Sequence, residues 1–121
     1  MLASRYSVKE TIDRLVILLQ QWDMLIYARI NRQIEAKWYG LVAQPLEFIL
    51  FDDPRLSVPI IELNPTLALC FPMRIIAWEE ASGACRVAFK DPVVLMRIYV
   101  PDGEGLYWPD LQPDITRILT E

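Results

Sequence analysis

Apolar and polar positions switch between two periods along this chain, and the switches mark its elements. Leu2 to Tyr6 reads as a short edge strand. Ser7, with Glu10 three residues on, forms a capping-box pattern that opens a helix running to about Trp22. Val8, Ile12, Leu15, Leu19 and Trp22 share one stripe of that helix. Val16-Ile17-Leu18 carries apolar surface past the stripe, toward the core or a second subunit. After a turn at Asp23-Met24, Leu25 to Ile30 is a strand ended by Asn31. Simple alternation puts Ile26, Ala28 and Ile30 on one face and Leu25, Tyr27 and Arg29 on the other. Arg32 to Tyr39 reads as a short helix closed by Gly40.

The middle of the chain organises the rest. Phe48-Ile49-Leu50-Phe51 is apolar without alternation, the mark of a strand covered on both sides. Asp52-Asp53-Pro54 stops it, and a rough helical face of Leu56, Val58, Ile60, Ile61 and Leu63 follows over Pro54 to Asn64, ended by Pro65. Met73 to Glu79 is the next strand, with Arg74, Ile76 and Trp78 on one side and Ile75, Ala77 and Glu79 on the other. A turn at Glu80 to Gly83 returns it as a hairpin through Cys85 to Lys90, where Cys85, Val87 and Phe89 share a face. Asp91-Pro92 then caps and opens a short helix to Tyr99. Pro101 to Gly105 reads as a flexible link, and Asp110 to Thr120 as a last helix with Leu111, Ile115, Ile118 and Leu119 on one side.

Several of these punctuation points together carry a resemblance. The succession Phe51-Asp52-Asp53-Pro54, Val58-Pro59, Asn64-Pro65, Phe71-Pro72, Trp78-Glu79, a glycine turn and Asp91-Pro92 resembles the bacterial and archaeal family DUF302, over roughly Tyr6 to Val100. The resemblance implies an α+β fold: a small β-α-β(4)-α domain similar to the TATA-binding protein, with a mostly antiparallel sheet and helices packed on one face. It also implies a homodimer, and no established activity. It divides the chain into a DUF302-like domain over 1–100 and a C-terminal arm over 101–121, packed on the same domain or on a partner subunit. Arg32 stands where family members often carry a histidine, and Leu56-Ser57 where they often have glycine.

Composition narrows the class. With 121 residues the chain is one domain with one core. It is 54% hydrophobic, high for a water-exposed domain, yet no apolar run approaches the ~20 residues of a membrane-spanning helix. The excess apolar surface points to a subunit interface. A net charge of −4 argues against nucleic acid, which needs a basic face. The N-terminus shows no signal-peptide core, so the expected compartment is the cytoplasm and no membrane association is expected.

Candidate chemistry is sparse. The absence of histidine removes a Ser-His-Asp triad and imidazole zinc sites, and two cysteines without ligand-like spacing leave no expected metal or cofactor. No catalytic residue is assigned. Cys85 and Cys70 read first as packed apolar residues, and the alternative is a thiol-dependent enzyme or sulfur-transfer accessory using one of them. Glu79 and Glu80 point to opposite faces of a strand and do not form an acid/base pair. The expected binding set is cationic and aromatic. If the strands carrying Arg29 and Arg74 are neighbours, those guanidinium groups, with Arg32, Trp78, Tyr27 and Tyr39, border a site for a small anionic or aromatic ligand. The leading function is therefore a homodimeric binding or interaction protein.

Overall fold

A computed structural model of the chain describes residues 1–99 and 107–121. Five strands form a single sheet: β1 (Leu2–Ser4), β2 (Leu25–Asn31), β3 (Leu46–Asp52), β4 (Met73–Glu79) and β5 (Cys85–Phe89). Their spatial order is β1-β5-β4-β3-β2, and every neighbouring pair is antiparallel. The helices are α1 (Val8–Gln21), α2 (Arg32–Trp38), α3 (Pro54–Leu63), α4 (Pro92–Tyr99) and α5 (Gln112–Thr120), with a 3-10 helix over Pro65–Leu69. This is the α+β architecture that the sequence implies, elaborated by α2 and α3 between consecutive strands. The link over 101–105 lies outside the described residues.

Because β1 and β2 occupy opposite edges, α1 must cross the whole sheet between them. Ser7 caps it by accepting a hydrogen bond from the Glu10 backbone N–H at 3.1 Å. Val8, Ile12, Leu15 and Leu19 are buried against the sheet, where Ile49, Phe51, Ile75, Ala77 and Val87 meet them. Of the overflow triplet, Leu18 is buried, Val16 half-buried and Ile17 exposed. The C-terminal helix α5 packs on α1 and β1 of its own chain, burying Ile115, Ile118 and Leu119, and the Arg5 N–H bonds the Leu119 carbonyl at 3.0 Å.

The opposite face of the sheet is also apolar. One row runs across four strands, Ile30, Phe48, Ile76 and Ala88, each directly opposite the next. A second row holds Leu46, Trp78 and Arg86, and a third Ala28, Leu50 and Arg74. Apart from exposed Arg74, these side chains are half-buried by one another. The expectation that β3 is covered on both sides is met on one face: Ile49 and Phe51 meet α1, while Leu46, Phe48 and Leu50 lie on this open surface.

One expected face assignment is corrected. A bulge between Ile26 and Ala28 shifts the β2 register, so Ile26 lies opposite Phe51 and Arg29 opposite Ile49, both toward the helices. Ala28 and Ile30 turn to the open face. No helix of the described residues is long and apolar enough to cross a membrane.

Candidate functional site

The β4–β5 hairpin builds the most promising site. Glu79 lies opposite Cys85 and Ile75 opposite Phe89. Continuing that register by one residue sets Lys90 beside Arg74 at the open end of the sheet. Both side chains line a cavity of about 440 Å³, walled by Met73, Pro72, Ile76, Ala88 and Phe89, with Leu69 and Cys70 arriving from the end of the 3-10 helix. The volume lies within the range of small-molecule sites.

The described lining of this cavity carries two cations and no carboxylate. Among the described residues no carboxylate pairs with Arg74 or Lys90. Like charges set opposite each other across two strands are destabilising. Arg74 makes one stabilising contact, with its guanidinium 4.6 Å from the centre of the Phe48 ring. The walls beside the two exposed cations are mainly apolar.

The expected cationic set does not gather as the sequence suggested. Arg29 and Arg74 lie on opposite faces, and β3 separates their strands. Arg29 is committed elsewhere: its Nη1 pairs with Asp13 of α1 at 2.6 Å and its Nε with Glu47 of β3 at 3.0 Å. It staples α1 to the sheet, and its hydrogen bond, with a second from Lys9, holds the Asp13 carboxyl below the ordinary carboxylate range. Arg32 pairs with Glu35 within α2. Tyr27 is exposed at the bulge of the edge strand, and Tyr39 is exposed at the end of α2. Trp78 does share the open face with Arg74, four residues further along β4. Lys90 was not in the expected set, although the hairpin register could have found it.

The two thiols differ. Cys85 is buried beneath α1, its sulfur 3.6 Å from the Thr11 hydroxyl, and burial pushes its thiol up. That setting opposes thiolate formation. Cys70 is half-buried in the wall of the Arg74 cavity. At the same end of the sheet, beyond Phe51, which lies opposite Met73, Asp53 caps α3 and pairs with Arg55, while Asp52 is buried, accepts from Ser57 Oγ at 2.7 Å, and has its second carboxylate oxygen unpartnered. No group of three or more Cys, Asp or Glu gathers as metal ligands among the described residues.

Comparison with known proteins follows the fold closely. The chain superposes on the crystal structure of an uncharacterized conserved DUF302 protein from Bacillus stearothermophilus with a TM-score of 0.71. The match covers 98% of this chain and 84% of that one at 17% identity, which shows a shared fold. A protein named fluoride-specific ion channel FluC 1 from Brucella suis is 34% identical over 92 residues, which is 76% of this chain and 36% of that protein. A Brucella abortus protein of the same name matches 92 residues at the same identity, over 34% of its length. The chain thus spans about a third of the curated relatives it matches. The family described as domain of unknown function DUF302 matches residues 1–119, through β5 and α5 alike, and the chain belongs to that family.

Proposed function

We propose that this domain is a binding protein for a small anionic ligand, held in the cavity between Arg74 and Lys90. The observation that carries the reading is the pair of cations in one mainly apolar cavity, without carboxylate partners among the described residues. An anion there removes a cross-strand repulsion and gains charge-assisted hydrogen bonds. The function is recognition, in the cytoplasm, with no bond chemistry. The thiol alternative narrows to Cys70, because Cys85 is buried.

A titration with 1-naphthalenesulfonate, an aromatic anion, tests the reading. Arg74→Ala and Lys90→Ala should each weaken binding about 10-fold or more, the loss of one hydrogen-bonded charge. Equal affinity in both variants and the wild type, with cooperative unfolding retained, sinks it.

The expected homodimer is supported by exposed apolar side chains on α2 and the segment after it, above all Trp38, Tyr39, Leu41 and Val42. A Trp38→Ser/Val42→Ser variant should then lose mass in analytical ultracentrifugation. A second reading follows the Brucella relatives: the domain is an accessory module of the kind carried by proteins named as fluoride channels. Under that reading millimolar fluoride raises its melting temperature, and an unchanged melt argues against it.

A further inference from the structure

We infer that the ligand of the Arg74 site is an amphiphile, an anion whose apolar tail passes around the end of the sheet into the core; this rests on the anion reading above. A second cavity, of about 240 Å³, lies on the helix-facing side. The two cavities share three lining residues, Met73, Phe89 and Lys90, at the start of β4 and the end of β5. They meet at one strand-end wall, with Lys90 common to both.

The two differ in chemistry. The first is lined by both cations, Arg74 and Lys90. The second is lined in its depth by Phe51, Ile75, Phe89, Trp108 and Ile115. Four of these are fully or almost fully buried core residues, and the Trp108 ring packs on Phe71 at 5.2 Å. Its two carboxylates have other duties: Asp91 and Asp110 accept backbone hydrogen bonds from Val93 and Gln112. Those two carboxylates disfavour an anionic head in the second cavity and direct it to Arg74. The aromatic and aliphatic part of this pocket offers an apolar tail a place out of water. A cationic mouth joined to an apolar, aromatic-lined depth is complementary to a carboxylate, sulfonate or phosphate head on an alkyl or aryl tail.

The test is a homologous series of alkyl sulfonates, from methanesulfonate to decanesulfonate, titrated into the full chain by calorimetry below their micellar concentrations. Affinity should rise about fourfold per added methylene, as burial of a CH₂ group implies, and then level off once the cavity is filled. Val93→Trp, which places an indole in the second cavity, should flatten that slope and leave methanesulfonate binding unchanged. If Val93→Trp does not unfold cooperatively, Gln112→Trp at the exposed rim replaces it. Binding of the whole series at one affinity, or an unaltered slope in the blocked variant, overturns the amphiphile and leaves the anion site standing. Failure of every member to respond to Arg74→Ala overturns the anion reading itself.

Discussion

The Arg74 guanidinium lies 4.6 Å from the centre of the Phe48 ring, diagonally across the β3–β4 pair from its backbone partner Leu50. The ring keeps the cation on the open face without neutralising it. Replacing Phe48 by Leu preserves the apolar surface and removes the quadrupole. We expect two- to fivefold weaker binding of 1-naphthalenesulfonate, since an exposed cation–π contact contributes about 0.5–1 kcal/mol. Stability should change little, and a urea titration checks that second half.

Arg29 has a structural task. Glu47 is buried beside it, so Arg29→Met leaves a carboxylate in the interior without its partner. Stability should fall by about 2 kcal/mol in urea at neutral pH, and Glu47→Gln in the same chain should recover part of the loss. The pH dependence has a definite sign. Asp13 is depressed in the fold, so its contribution is present above the ordinary carboxylate range and is lost as pH falls through the lower folded value. The Arg29→Met variant should show a smaller loss on that acid limb.

Asp52 behaves in the opposite sense. Burial raises its carboxyl, so the fold favours the protonated form, and a deficit in stability develops as pH rises through the raised value. Asp52→Asn keeps an acceptor for the Ser57 hydroxyl and cannot ionise. It should be more stable than the wild type by about 1 kcal/mol at pH 7, with the gap closing toward pH 3. Chemical denaturation at both pH values checks it. A gap that is constant with pH would locate the effect in packing.

The two thiols should label at different rates. A small alkylating reagent on the native protein should modify half-buried Cys70 well before Cys85, which is covered by α1 and hydrogen-bonded to Thr11. Mass spectrometry of peptides taken through the time course reports the order. Prior saturation with decanesulfonate should slow Cys70 selectively, because the residue lines the binding cavity.

Local chemistry was legible in the sequence wherever it is local in the structure. Ser7 and Glu10 mark the start of α1, and Met73 to Glu79 emerges as β4 with the expected faces. The proline-marked boundaries at Pro54, Pro65 and Pro92 also stand, because each proline acts on its own stretch of backbone. Strand order does not follow from such signals. Placing β3 between the strands of Arg29 and Arg74 is a long-range outcome, so their separation was invisible. The β2 bulge adds one residue at Tyr27 and reverses the face of everything after it, which moved Arg29 toward α1. Lys90 lay within reach of sequence reasoning, since the hairpin turn fixes which residue faces Arg74. It reads as a strand-end solubilising charge until the register is followed to its last position.

The most direct test of the central claim is Lys90→Glu. It replaces a repelling cross-strand neighbour of Arg74 with an attracting one and removes half of the anion site. Stability and binding should therefore move in opposite directions. A gain of about 0.5 kcal/mol in unfolding free energy, together with at least tenfold weaker binding of 1-naphthalenesulfonate, is the predicted result. Unchanged binding in a folded Lys90→Glu protein would contradict the account, as would a loss of stability.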